Sequence, residues 1–211
     1  WRSAGLHALE SILIDHGSAQ SADAMAVVNH NFTGNAVVRL GRGSTISAAD
    51  VYESIPIRRG RPNLWKLFTP TTYRYSKLEI SDSGNPNGFL KTGVLWIGNR
   101  TKLPRFVNDW EFDNRMIVGF LDTEFGRRYM EYVGSQMSMT MDFEGLDSTD
   151  VATLRDIWQD HDGDYRPVFL IPDRLGVEGY WVRILSFDRR RGTRDGIRST
   201  FQEMPNGLSL L

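Results

Sequence analysis

The most obvious candidate for chemistry is an acidic run, Asp160-His161-Asp162-Gly163-Asp164, which follows a predicted helix. Carboxylates grouped around a glycine are typical of calcium loops, whose template requires glycine at the sixth position and glutamate at the twelfth. Counted from Asp160, those positions hold Tyr165 and Ile171, so the template fails. We interpret the run as a solvated helix end, and we expect no metal site and no cofactor.

Histidine and serine spacing does not match a known catalytic pattern. None of the four histidines lies four residues from another, and neither an HExxH nor a GxSxG pattern occurs. We interpret His16 and His30 as making hydrogen bonds at strand ends. The segment Gly41-Arg42-Gly43-Ser44 lacks the lysine and the following helix of a phosphate loop, and is interpreted as a hairpin turn.

Enzymatic activity is the weakest of three functional hypotheses. A glycoside hydrolase needs two carboxylates facing one cleft, and nothing singles out such a pair among the 26 acidic residues. We therefore expect that the chain is not an enzyme.

Arginine is concentrated in two segments. One holds Arg58, Arg59 and Arg61, and the other surrounds Gly192 and Gly196. Such clusters bind phosphate groups, form one side of a charge-complementary subunit contact, or belong to solvated loops. A net charge of −1 and the lack of interleaved aromatic residues argue against specific nucleic-acid binding. We predict that the loop 188–198 faces a neighbouring subunit through Arg189, Arg190, Arg191 and Arg194.

The composition is that of an ordinary globular protein of 211 residues, with 24% charged and 11% aromatic residues. The absence of cysteine excludes disulfides and thiolate chemistry, and it fits synthesis in a reducing cytosol. No apolar run approaches the roughly 20 residues of a membrane helix, so we expect no membrane span. The chain begins at Trp1, so we expect further residues before it in the natural protein.

The first half is predicted to be entirely β. Short runs rich in Val, Ile and Leu predict strands at Ala8–Ile14, Ala24–Val28 and Ala36–Leu40. The first of these strands is predicted to end at Asp15-His16-Gly17. The segment Tyr73–Gly98 reads as an antiparallel hairpin, because the turn residues Ser83–Gly88 separate two apolar and aromatic runs.

The second half is predicted to contain strands and one helix. Gln136–Phe143 alternates strictly, with Met137, Met139, Met141 and Phe143 on one face. A helix is predicted from Ser148 to about His161, with Asp147 or Ser148 as N-cap. Further strands are predicted at Trp110–Phe120, Arg127–Val133, Pro167–Ile171, Tyr180–Phe187 and Ile197–Met204. The fold class is therefore mainly β with a single helix.

The first half also resembles a known family of β domains. The order of Trp1-Arg2-Ser3, Ile14-Asp15-His16-Gly17, Val27-Val28-Asn29-His30-Asn31 and Arg74-Tyr75 before Leu95-Trp96-Ile97-Gly98 is similar to the galactose-binding-like (discoidin-type) jelly roll. A version of it occurs in distal tail and tail-tip proteins of long-tailed bacteriophages. The resemblance implies a jelly roll over 1–100. It also implies a possible glycan or partner contact at one end of the sandwich, through His30, Asn31, Arg58 and Trp65.

The second half resembles the ring-forming domain of phage distal tail proteins. The resemblance rests on a strand, a capped helix, a strand ending in Pro172-Asp173, a Trp-containing strand, and a strand ending Phe-Gln-Glu-Met-Pro. It implies a belt domain over 101–211, a β-sandwich with one flanking helix that assembles into a hexameric ring.

The two resemblances together imply a structural virion protein. The ring would join the tail tube to the baseplate hub, with the tape-measure protein as a further partner, and the protein would be made in the cytoplasm of the bacterial host. The alternative is a carbohydrate-binding module that contacts host surface glycans.

If the chain forms the ring, reversal of Arg190 and Arg191 to glutamate is expected to weaken oligomerisation without unfolding the monomer.

Overall fold

The computed structural model describes residues 1–5, 9–57, 63–103, 106–122, 128–162, 166–172, 179–190 and 196–203. Within them the chain is mainly β, with two five-stranded antiparallel sheets and one helix, which confirms the predicted class. It divides into two compact units. The first unit comprises Trp1–Thr101 and Pro172–Gly179, and the second comprises Lys102–Ile171 and Tyr180–Leu211. No helix in the described part of the chain is long and apolar enough to cross a membrane.

The first unit contains one sheet with the strand order β3-β2-β4-β1-β5. The strands are β1 Glu10–Val28, β2 Val37–Gly43, β3 Val51–Ile55, β4 Asn63–Ser81 and β5 Val94–Gly98.

The predicted hairpin over Tyr73–Gly98 is wrong, because β1 lies between β4 and β5 and pairs with both. The turn residues do form a tight turn, in which the Gly88 amide donates to the Asn85 carbonyl over 3.1 Å. Local sequence therefore sets the turn, whereas the pairing of the strands on either side depends on a segment some sixty residues earlier.

The strands predicted at Ala8–Ile14 and Ala24–Val28 are two ends of the single strand β1. Its register with β4 is interrupted between Asp15 and Gln20, where Gly17 adopts a φ of +76°. The segment Asp15-His16-Gly17 is therefore an irregularity within β1 and not the end of a strand, because β4 pairs with β1 on both sides of it.

A single core cluster holds the first unit together. It contains Val38, Leu40, Leu78 and Ile80 from one end of the sheet and residues such as Val27 from the other. Burial of the apolar surface of each fully buried Val, Leu or Ile stabilises the fold by about 1.5–3 kcal/mol.

The second unit contains the other sheet, with the strand order β6-β7-β10-β9-β8. Its elements are β6 Phe106–Asp122, β7 Arg128–Glu144, α1 Ser148–Asp160, β8 Val168–Leu170, β9 Tyr180–Arg190 and β10 Gly196–Glu203. The predicted strands at Arg127–Val133 and Gln136–Phe143 are parts of β7.

Three of the four residues predicted to share one face of β7 belong to the core of this unit, whereas the fourth, Met137, is half-buried. Met139, Met141 and Phe143 are almost completely buried, and Leu154 of α1 belongs to the same cluster. On the polar face of β7, Asp142 forms a bidentate ion pair with Arg198 of β10, at 2.7 and 2.8 Å. The predicted loop 188–198 is wrong at both of its ends, because residues 188–190 belong to β9 and residues 196–198 belong to β10.

Helix α1 begins as predicted, with Asp147 as its N-cap. The Asp147 carboxylate accepts from the Asp150 amide over 2.8 Å, and the Asp150 carboxylate accepts from the Asp147 amide over 3.4 Å. This reciprocal capping box satisfies two amides that have no partner within the helix.

Replacement of Asp147 by alanine is expected to lower the free energy of unfolding by about 1 kcal/mol, because the cap is lost. Urea denaturation at neutral pH measures this change. Ser148→Ala is the matched control, because it alters the next residue and leaves the capping box intact. An equal effect of both substitutions would contradict the assignment of Asp147 as the cap.

Candidate functional site

Two of the residues predicted to contact a glycan, His30 and Asn31, take part in contacts within the first unit. The Asn31 side chain donates to the Phe89 carbonyl over 2.9 Å and accepts from the Lys91 amide over 2.7 Å. His30 stacks on Phe32 with ring centroids 4.6 Å apart, and burial lowers the pKa of His30 to about 4, so it is neutral at pH 7. These contacts order the chain next to the end of β1.

Trp65 of β4 is 7% exposed, so little of its ring is available for stacking on a sugar. Arg58 lies outside the described residues. A glycan contact through His30, Asn31, Arg58 and Trp65 therefore stays a prediction.

Two of the four predicted interface arginines lie in the described part of the chain. Arg189 and Arg190 are the last residues of β9, and their backbones pair with Ile197 and Gly196. Arg191 and Arg194 lie outside the described residues. The structure therefore brings two of the four to one hairpin end, and their role in a subunit contact stays a prediction.

A polar cavity of about 240 Å³ lies within the first unit, at a place that the sequence interpretation did not select. The residues that line it come from the irregular part of β1, from β4, and from the ends of β2 and β5. They are His16, Gln20, Ser21, Ala22, Arg42, Thr71, Tyr73, Ser76, Ile97, Gly98 and Asn99. None of these side chains is acidic.

The cavity lies where the alternating apolar rows of three neighbouring strands end in polar residues. On β2 the row that begins at Val38 and Leu40 ends in Arg42. On β4 the row of Ile80 and Leu78 ends in Ser76, which is paired with Arg42. On β1 the row of Ile12 and Ile14 ends in His16. The common register of the sheet therefore brings Arg42, Ser76 and His16 together.

Arg42 is part of strand β2, which corrects the interpretation of Gly41-Arg42-Gly43-Ser44 as a turn. A Cβ on Gly41 would lie 2.5 Å from the Ala48 carbonyl oxygen, and one on Gly43 would lie 2.9 Å from the Ala48 Cα. The two glycines are therefore explained by close approach of the connection between β2 and β3. The alternation of Val38, Leu40 and Arg42 is the sequence signal that could have identified a buried arginine.

The Arg42 guanidinium is 2% exposed and incompletely paired. Its carbon lies 4.0 Å from the centroid of the Phe68 ring, and its Nη1 donates to the Ala22 carbonyl over 3.4 Å and to the Thr71 hydroxyl. Nη2 lies 4.0 Å from a Glu53 carboxylate oxygen, and Nε has no hydrogen-bond partner among the described atoms. Burial lowers the pKa of Arg42, and the nearby Glu53 opposes that effect.

His16 and Ser76 form the second polar contact of the cavity, with 3.0 Å between Nε2 and Oγ. A serine–histidine pair of this kind activates a nucleophile when a third group orients the imidazole. The adjacent Asp15 carboxylate instead bonds Arg74 and the Gly17 amide. The arrangement therefore fits a binding site better than a hydrolytic centre.

The Asp15–Arg74 pair makes the stability of the first unit depend on pH. Its two hydrogen bonds, each 2.9 Å, lower the pKa of Asp15 to about 2, and the Gly17 amide contributes to the same shift. A lowered pKa means that the charged form is favoured in the folded state. The resulting stabilisation is present above about pH 4, the ordinary value for aspartate, and is lost as the pH falls towards 2.

The difference in stability between the wild type and Asp15→Asn is therefore expected to shrink as the pH falls from about 4 to about 2. Urea denaturation across this range measures the difference, and Arg74→Gln should show the same convergence because it removes the other partner. A difference that stays constant over the range would contradict the pairing.

Comparison with known proteins adds no relative for this chain: no protein-family model, no curated protein and no solved structure matches it.

Proposed function

We propose that the chain is a structural protein of a bacteriophage tail, which assembles through its sheet edges into a ring. The observation that carries the proposal is β6, a strand of 17 residues at the edge of the second sheet. In the described part of the chain it pairs with β7 alone. Its other side therefore presents a long row of amide and carbonyl groups that no described strand satisfies.

Long edge strands of this kind are unusual in proteins that act as monomers. Strands are usually about 5–6 residues long, and exposed edges are commonly short, charged or covered because an open edge pairs with other chains. A partner strand would pair with the backbone groups of β6 that face away from β7. A contact between β6 and a different surface of the next copy would close into a ring if the rotation between copies closes.

The similarity of the second half to distal tail proteins makes a hexamer the expected ring. The partners in this proposal are further copies of the chain, the tail tube protein, the tape-measure protein and the baseplate hub. The protein would be located in the virion, after synthesis in the cytoplasm of the bacterial host.

Particle mass in solution tests the proposal. Mass photometry and negative-stain class averages of the purified chain are expected to show a six-fold ring. The double variant Arg190→Glu, Arg191→Glu is expected to shift the distribution towards smaller particles and leave the melting temperature unchanged. A wild-type monomer at all concentrations would contradict the proposal.

A carbohydrate-binding module is the second candidate, and the polar cavity of the first unit favours it. Its lining offers hydroxyl, amide and imidazole groups of the types that bind sugar hydroxyls. Titration of a monomeric preparation with galactose and with bacterial cell-wall fractions tests this candidate. Saturable binding without ring formation would favour it over the tail protein.

A further inference from the structure

We propose that the cavity next to Arg42 binds a small ligand through a carboxylate group. The proposal concerns the first unit alone and goes beyond assembly through sheet edges. It rests on the charge of the cavity, the hydrogen-bond donors around it, and its size.

The charge of the cavity is positive and is not balanced by its own lining. The Arg42 guanidinium lies at the end of an apolar row of side chains on β2. No aspartate or glutamate belongs to the residues that line the cavity. Glu53 approaches only to 4.0 Å of Nη2, the limit of an ion pair. A buried charge without a close partner is unfavourable, so an anion beside it is stabilised.

Two hydrogen-bond donors at the cavity could each donate to an acceptor atom on a ligand. The Thr71 hydroxyl oxygen accepts from Arg42 Nη1, so its own hydrogen is free to donate to a ligand. Arg42 Nε has no acceptor, and it lies on the same edge of the planar guanidinium as one hydrogen of Nη2. Two parallel N–H groups along one edge match the two oxygens of a carboxylate.

Arg42 is almost completely buried, so a ligand would first meet the more exposed lining. Gln20 and Ser21 of β1 are exposed members of the lining, and they pair with Tyr73 and Thr72 of β4. We infer that a carboxylate contacts the Thr71 hydroxyl and that a small shift of the side chains then opens the Nε edge of Arg42.

The size of the cavity limits the ligand to a small molecule. Its volume of about 240 Å³ is below the roughly 300–1,000 Å³ of sites for drug-sized ligands. The polar lining disfavours an apolar ligand. A sugar acid or a short hydroxy acid has the appropriate size and polarity.

The test is a calorimetric titration of the full chain at fixed ionic strength with galacturonate and with galactose. These probes have the same ring and nearly the same size, and they differ in the carboxylate. We expect galacturonate to bind at least tenfold more tightly than galactose, in line with hydrogen bonds to a charged group. Inorganic phosphate is the third probe and is expected to bind more weakly than galacturonate.

Two variants and a control connect the binding to the cavity. Thr71→Val removes the hydroxyl and keeps the shape, and is expected to weaken galacturonate binding about tenfold. Arg42→Met removes the charge and is expected to abolish it. Arg74→Gln is the control, because it removes an arginine that pairs with Asp15 and does not line the cavity.

Equal affinity for galacturonate and galactose would overturn the proposal, as would phosphate binding as tightly as galacturonate. Unchanged galacturonate binding by Thr71→Val would also overturn it. If Arg42→Met does not fold, Thr71→Val and the comparison of probes still decide the question.

Discussion

A proline at one of two adjacent positions in β6 is expected to abolish ring formation while the chain still folds. In an antiparallel pair, neighbouring residues alternate between those bonded to the partner strand and those whose N–H and C=O face away. Asp113 and Asn114 are such neighbours, and they pair with Ser138 and Met137 of β7. One of their two amides therefore faces β7, and the other faces the open edge.

The substitutions Asp113→Pro and Asn114→Pro are therefore expected to have different effects. One should lower the melting temperature, and the other should prevent assembly. At the position that faces β7, proline removes a hydrogen bond within the sheet and lowers the melting temperature. At the position that faces the open edge, proline is tolerated by the monomer but obstructs a partner strand.

Melting curves and mass photometry of the two variants measure both effects, and each variant is the control for the other. We expect one variant to be destabilised and the other to be stable and monomeric. A stable variant that still forms wild-type rings would show that β6 is not the assembly edge, even if the ring itself exists.

Replacement of Gly41 by alanine is expected to destabilise the first unit by about 1–3 kcal/mol, the usual effect of an overpacked core. The new Cβ would lie 2.5 Å from the Ala48 carbonyl oxygen and 2.9 Å from Cε1 of the Tyr52 ring. The first of these atoms belongs to the backbone, so either β2 or the connection to β3 must move.

Gly84→Ala is the matched control, and its expected effect has the opposite sign. A Cβ at Gly84 has no heavy atom within 4 Å, and the φ of Gly84 lies outside the left-handed region. Alanine there reduces the entropy of the unfolded chain and is expected to add about 0.4–1 kcal/mol of stability. Urea denaturation measures both variants, and a neutral effect of Gly41→Ala would contradict the close packing described for β2.

Gly41→Ala also links the packing of β2 to the cavity. Because Gly41 precedes Arg42 on the same strand, a shift of β2 displaces the guanidinium from Thr71. We therefore expect the variant to bind galacturonate more weakly than Gly84→Ala does. This difference would separate an effect on the site from a general loss of stability.

Signals within a few neighbouring residues were enough to predict the start of α1 and the alternating faces of β7. The N-cap candidates Asp147 and Ser148 are adjacent in sequence, and they predicted the start of α1 correctly. The alternation of Met137, Met139, Met141 and Phe143 predicted that they share one face of β7, because a pleated strand sends every second side chain to the same side. The last three are buried. Such signals need no information about the partner strand.

The pairing of the strands and the position of a polar residue in the core depend on contacts that exist only in the folded chain. The signal at Asp15-His16-Gly17 is the same for a strand end and for an irregularity, and β4 made it an irregularity by pairing on both sides. Arg42 resembled a turn residue because glycines flank it, whereas those glycines are required by Ala48. Pairing and close approach join residues far apart in sequence, and their free energy depends on surfaces that exist only after folding.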